Sequence, residues 1–193
     1  MFNRDGVRGL IVGLLLGAVV GFFLANLVSR GSAVSTAVVA PAGTAPAPAA
    51  APSQEIQSRI FATEQMVQKD PNNTEAWIAL GNDYFDDHKP QQAVDAYAKA
   101  LALKPDNADV LTDQGVMYRD LKAYDKAIAN FEKAQKINPK HVQSLYNIGV
   151  VYANDLKLPD KARKAWAKVI ELAPGSPQAA QAQEGLGKLG TTP

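Results

Sequence analysis

Large apolar, small and helix-breaking residues recur along this chain in a fixed order with a period of 34 residues. The order runs Trp77, Leu80, Gly81, Tyr84, Ala93, Tyr97, Ala100, Pro105. It returns as Leu111, Gln114, Gly115, Tyr118, Ala127, Phe131, Ala134, Pro139. A third copy runs Leu145, Ile148, Gly149, Tyr152 and, after one inserted residue, Ala162, Trp166, Val169, Pro174. Within each copy the apolar positions stand three and four apart, the spacing that lines one face of an α-helix. Each copy therefore predicts a helix pair, and a lone pair cannot bury its apolar face, so the pairs must stack on one another. The expected fold is all-α. Gly81, Gly115 and Gly149 fall inside helical stretches, where glycine costs about 1 kcal/mol against alanine. A close approach between helices is the expected compensation, with Ala93, Ala127 and Ala162 as the small partners. Trp77, Tyr84, Tyr97, Tyr118, Phe131, Tyr152 and Trp166 are expected in the core.

Turn signals punctuate the copies at Asp70-Pro71-Asn72-Asn73, Lys104-Pro105-Asp106-Asn107, Asn138-Pro139-Lys140-His141 and Ala173-Pro174-Gly175-Ser176. Proline ends one helix, and Asn or Asp caps the next. The copies are thus bounded at 74–107, 108–141 and 142–175. Residues 53–73, with Ile56, Ile60, Phe61, Met66 and Val67, predict a flanking helix before them. Residues 176–193, with Ala180, Leu186 and Leu189 among polar neighbours, predict a capping helix and tail. Three pairs and two flanking helices make about eight, long enough to bury a core.

The pattern ahead of the repeats is different. Residues 9–29 carry no charge and are rich in Leu, Val, Ile and Phe, and about 20 such residues span a hydrocarbon core of roughly 30 Å. A cleaved signal peptide is the competing reading. Its apolar region would be only about 7 to 15 residues long, and the small-residue site Ala33-Val34-Ser35 comes after a full span, so the length favours an uncleaved anchor. Arg4 and Arg8 precede the span, against Asp5, while Arg30 follows it. The positive-inside rule then puts residues 1–8 in the cytoplasm and the repeats across the membrane, in the periplasm of a bacterium. Gly9, Gly13, Gly17 and Gly21 form a smooth stripe along one face of the span, suited to close packing with a second copy or a membrane partner. Residues 30–52 alternate Ala and Pro, which predicts an extended spacer reaching roughly 70 Å. An O-glycosylated stalk is the other reading of that tract.

Composition narrows the chemistry. The chain has no cysteine and therefore no disulfide, thiol nucleophile or Cys-based metal or haem site. Its two histidines, His88 and His141, fall in predicted turns without metal-ligand spacing and read as solvated. Asp86-Asp87-His88 are adjacent on a helix and do not converge on one face. No phosphate loop or nucleophile elbow is present. No catalytic residue, metal ligand or cofactor is expected. A formal net charge of +1 gives no basic excess for nucleic acid.

The pattern W-x2-L-G-x2-Y, A-x3-F and P, met almost letter for letter from Thr74 onward with Tyr97 in the Phe place, resembles the tetratricopeptide repeat. The resemblance covers residues 54–190 and implies a right-handed superhelical solenoid of antiparallel helix pairs, here preceded by one transmembrane helix. It also implies protein binding through a concave groove lined by the first helix of each pair, at that helix's second, fifth, ninth and twelfth places. Those places hold Glu75, Ile78, Asn82 and Phe85; Asp109, Thr112, Val116 and Arg119; and Gln143, Tyr146, Val150 and Ala153. The family's carboxylate clamp needs basic residues with Asn at several of these places, and only Asn82 matches it.

Charge separates by helix. First helices carry Glu75, Asp83, Asp86, Asp87, Asp109, Asp113, Arg119, Asp120 and Asp155, while second helices carry Lys99, Lys104, Lys126, Lys133, Lys136, Lys161, Arg163, Lys164 and Lys168. An acidic groove of this kind would prefer a neutral-to-basic segment. The leading expectation is a membrane-anchored periplasmic scaffold for envelope assembly. Anchor, linker and repeats together resemble the tetratricopeptide subunits of bacterial cytochrome c maturation. The alternative is a homo-oligomeric platform built by repeat stacking and the glycine stripe.

Overall fold

The computed structural model describes residues 52–190. The expected span at 9–29, its glycine stripe and nearly all of the spacer lie outside the described residues. Among those residues no helix is long and apolar enough to cross a membrane. The helices are α1 (Pro52–Lys69), α2 (Thr74–Asp86), α3 (Pro90–Leu103), α4 (Ala108–Asp120), α5 (Tyr124–Ile137), α6 (Val142–Val150), α7 (Pro159–Leu172) and α8 (Pro177–Leu189), with no strand among them. Each packs on the next in the chain, and α6 also touches α4 and α8, so the first helices of successive pairs form one layer.

Helix ends explain how the period is written into the backbone. Asn73 and Asn107 cap α2 and α4, their side chains accepting from the N–H of Ala76 at 2.9 Å and of Val110 at 3.1 Å. At the third place in this series His141 substitutes for Asn, its Nδ1 accepting from the Ser144 N–H at 3.3 Å. Ser176 caps α8. The second helices α3, α5 and α7 have no side-chain cap. They begin two residues after a left-handed turn residue at His88, Lys122 and Lys157, with φ of 54°, 59° and 55°.

The glycines face aromatic rings. A Cβ on Gly81 would stand 2.4 Å from the Tyr97 ring, one on Gly115 2.4 Å from Phe131, and one on Gly149 2.3 Å from Trp166. The close approach expected from the sequence is therefore that of a side chain: one ring from the second helix packs against the bare backbone of the first. Ala93, Ala127 and Ala162 are fully buried beside these rings. Of the seven aromatics expected in the core, Tyr97, Phe131 and Trp166 are buried, whereas Trp77, Tyr84, Tyr118 and Tyr152 are only half-buried. The reason is their polar ends and their neighbours. Trp77 Nε1 donates to the Pro71 carbonyl, the Tyr84 hydroxyl donates to Glu64, and the rings of Tyr118 and Tyr152 each lie under a lysine, Lys126 and Lys161.

The residue inserted in the third copy is absorbed at one point. Val151–Asp155 form a single π-helical turn, closed by a Leu156 N–H to Val151 O bond of 2.9 Å spanning five residues. The equivalent bond in the second copy, Leu121 N–H to Met117 O, spans four. The extra residue thus widens one turn and leaves α7 in register. Asp155, the last residue of that turn, holds Arg119 of the preceding pair at 2.5 Å.

Polar groups in the interior are satisfied. Gln114, in the place held by Leu80 and Ile148, donates to the Val94 carbonyl at 3.0 Å and accepts from Asn130 at 2.8 Å, tying α3, α4 and α5. Asp83, expected on the acidic face, is buried against α1 by Arg59 at 2.7 Å and Thr63 at 3.0 Å.

The ring-on-glycine contact makes a differential prediction. Gly115→Ala forces the Phe131 ring to move and should cost about 1 to 3 kcal/mol. Gly187→Ala, in α8 with open space around it, should stabilise by up to about 1 kcal/mol through helix propensity. Urea denaturation followed by circular dichroism separates the two; equal effects would show that the rings do not constrain the glycines.

Candidate functional site

The surface formed by α2, α4, α6 and the π turn carries the residues expected to line a groove, and burial sorts them. Glu75, Asn82 and Asp109 are exposed; Ile78, Phe85, Val116, Arg119, Gln143, Tyr146 and Val150 are half-buried and reach the surface. Thr112 does not: it is 2% exposed, its hydroxyl bonded to the Ala108 carbonyl at 2.8 Å and covered by His141 at 3.4 Å. Ala153 is also buried, at the floor of a cleft.

His141 is the largest departure from expectation. Its side chain is only 14% exposed, and its Nε2 stands 2.9 Å from Asp109 Oδ1. Its Nδ1 faces the Ser144 N–H at the start of α6, so the ring bridges that cap and the Asp109 carboxylate. A residue read as solvated from its turn position thus links α4 to α6. The signal available in the sequence was its place in the series Asn73, Asn107, His141, the cap position of each first helix.

Two clefts lie along this surface. The first, about 350 Å³, is lined by Asn82, Phe85, Asp86, Tyr97 and Asp113, between α2, α3 and α4. The second, about 400 Å³, is lined by Tyr146, Val150, Ala153 and Asn154 of the third copy, by Trp166, and by residues of α8 that include Gly185. Asn82 and Val150 occupy the same place in copies one and three, as do Phe85 and Ala153, so both clefts belong to one stripe. Tyr146 stacks on Trp166 with ring centroids 6.3 Å apart. The six-membered ring of Trp166 also approaches Gly185, where a Cβ would stand 2.6 Å from it.

The electrostatics of the first cleft centre on Asp113. Burial, and next the Asp109 carboxylate, push its pKa up to about 6 from 3.8, with His141 acting in the opposite direction. Beside it the Tyr97 hydroxyl donates to Asn82 Oδ1 at 2.8 Å. Burial, and then the charges of Asp113, Asp86 and Asp83, hold that phenol protonated well above its ordinary range. Asp86 is paired with Arg59 at 2.6 Å. Arg119, the sole cation on α2, α4, α6 and the π turn, is held by Asp155. Among the described residues no group of three or more His, Asp or Glu could hold a metal ion.

Residues 78–142 and 124–177 match the family described as tetratricopeptide repeat. Among curated proteins, the chain is 33% identical over 125 residues to human Protein O-mannosyl-transferase TMTC3, covering 61% of this chain and 14% of that protein. It is 29% identical over 100 residues to Photosystem I assembly protein Ycf3 of Prochlorococcus marinus, covering 44% of this chain and 58% of that protein. The chain thus spans about one seventh of the human relative, within its repeats. Among solved structures, the crystal structure of MamA aligns with a TM-score of 0.65 at 26% identity, over 71% of this chain and 78% of that one. The first repeat domain of Spaghetti (RPAP3), bound to the HSP90 peptide SRMEEVD, aligns with a TM-score of 0.55 at 26% identity, over 63% and 93%.

Because the folded-state pKa of Asp113 is raised, its contribution to stability is complete below about pH 3.8 and is lost as pH rises through about 6. Asp113→Asn should remove that loss and stabilise the protein at pH 7.5 by on the order of 2 kcal/mol, the shift being discounted for partial exposure. At pH 4 it should have little effect. Urea midpoints measured from pH 4 to 8 check this; a variant parallel to wild type across the range would refute it.

Proposed function

This chain belongs to the tetratricopeptide repeat family, and from that premise we propose that it is a non-enzymatic, membrane-anchored scaffold holding a polypeptide segment in the groove of α2, α4 and α6. The observation that carries the reading is the open stripe of Ile78, Asn82, Phe85, Val116, Tyr146 and Val150, which runs through both clefts. Apolar surface of this kind, rimmed by polar groups, suits a partner side chain better than water. The peptide complex of the related repeat domain supports a peptide as ligand. The relative that assembles photosystem I supports an assembly task.

In this reading residues 9–29 anchor the protein in the inner membrane with residues 1–8 in the cytoplasm. Residues 30–52 hold the repeats away from the bilayer in the periplasm. The clients are subunits of envelope complexes, of which cytochrome c maturation is the specific candidate. The positive charge ahead of the span and the length of the apolar run support this arrangement.

Crosslinking and affinity purification of the full chain should recover client proteins. A variant carrying Ile78→Glu, Val116→Glu and Val150→Glu, folded by circular dichroism, should lose them; an unchanged partner set would refute groove binding. The lack of cysteine in the chain permits a direct topology test. A membrane-impermeant maleimide should label Ser32→Cys in intact spheroplasts and Asn3→Cys only after lysis, and the reverse pattern would overturn the orientation.

A further inference from the structure

Resting on the groove reading, we infer that the groove takes an extended segment with a cationic side chain in the Asn82–Asp113 cleft and an apolar side chain in the Tyr146–Trp166 cleft, and so fixes the segment's direction. Charge and shape argue for each half separately.

The first cleft is built for a cation on an aliphatic stem. Asp113 reaches it with no hydrogen bond or ion pair of its own among the described residues, whereas Asp86 beside it is partly satisfied by Arg59. Phe85 offers a ring for the methylenes of Lys or Arg. With Asn82 Oδ1 engaged by the Tyr97 hydroxyl, the Asn82 amide is left to donate to a backbone carbonyl of the segment. The cation that could have repelled such a ligand, Arg119, is neutralised in place by Asp155. Asp155 lies in the π turn that takes up the inserted residue. An acidic segment would meet the opposite situation, since α2, α4 and α6 present no further Lys or Arg.

The second cleft has both apolar and polar lining. Val150, Ala153 and the stacked Tyr146–Trp166 pair supply its apolar surface, while Asn154, Gln181 and the Glu184–Lys188 ion pair, joined at 2.7 Å, supply its polar groups. Gly185 lets the Trp166 ring sit against α8 and so shapes that cavity. A Leu or Phe side chain is the occupant it fits.

Neighbouring helices pack about 10 Å apart, and the clefts lie about two such spacings from each other along α2, α4, α6 and α8. An extended chain rises about 3.3 Å per residue, so about five residues separate the two anchors.

The test uses the full chain in detergent and four synthetic heptapeptides, capped at both ends, with Ser and Gly between the anchors. They carry Lys first and Leu last, Leu first and Lys last, Glu first and Leu last, and Lys first and Ser last. Calorimetric titration at pH 7.5 should show that one order of Lys and Leu binds at least fivefold tighter than the other. The Glu peptide and the peptide without Leu should each bind at least tenfold weaker than the better order. Asp113→Asn should remove the preference for Lys over Glu. Binding of the Lys peptide should weaken from pH 7.5 to pH 5 in wild type and not in Asp113→Asn. The charged and titratable groups around Asp113 are Asp109 on its own helix, His141 before α6 and, lining the same cleft, Asp86 on α2 and Tyr97 on α3, with Asp86 paired to Arg59 of α1.

Equal binding of Lys and Glu peptides, equal binding of the two orders, or no binding of any peptide would overturn the inference. Client capture that depends on the groove would then still stand on its own. Loss of that dependence would remove the scaffold reading itself.

Discussion

One contact sets the geometry of every repeat: an aromatic ring from the second helix laid against a glycine of the first. Tyr97 on Gly81, Phe131 on Gly115 and Trp166 on Gly149 are the same contact three times. A glycine in a helix interior is unfavourable in isolation, and the fully buried ring offsets that cost by removing a large apolar area from water. Since nothing larger than hydrogen fits between ring and backbone, the contact fixes how closely the two helices of a pair approach and how they are rotated. The layer of first helices, and the surface it presents, inherits that spacing.

The third repeat shows what happens when the period is violated. Trp166 still reaches Gly149 although an extra residue lies between them, because Val151–Asp155 take up the surplus in one widened turn. Packing is preserved and the surface is changed. The widened turn supplies Ala153 and Asn154 to the cleft beneath α8 and Asp155 to the ion pair with Arg119.

Much of the fold was legible in the sequence for a physical reason. The 34-residue period fixes both the helix pairs and the residues that must be small, and the Pro and Asn signals fix where helices stop and start. The site was legible in part. Placing residues at the second, fifth, ninth and twelfth positions identified Asn82, Phe85, Tyr146 and Val150, which line the clefts, but treated Thr112 as open when His141 covers it. Position on a helix gives direction, whereas accessibility depends on what the next repeat lays over it. His141 was misread for the same reason: a turn residue is solvated only if no neighbouring helix accepts it, and here Asp109 and Ser144 both do. The importance of Asp113 was likewise hidden, since its raised pKa comes from burial between helices rather than from adjacent residues.

In the proposed reading, the groove with an open carboxylate at one end, apolar surface at the other and a neutralised arginine between them is a surface for a polypeptide partner. Its back face, carrying the lysines of α3, α5 and α7, would serve a different class of contact. Hydrogen–deuterium exchange on the full chain, alone and with a captured partner, separates these faces most directly. The account predicts slowed exchange in α2, α4 and α6 and at the π turn, where the partner would lie. Protection confined to α3, α5 and α7 would contradict it.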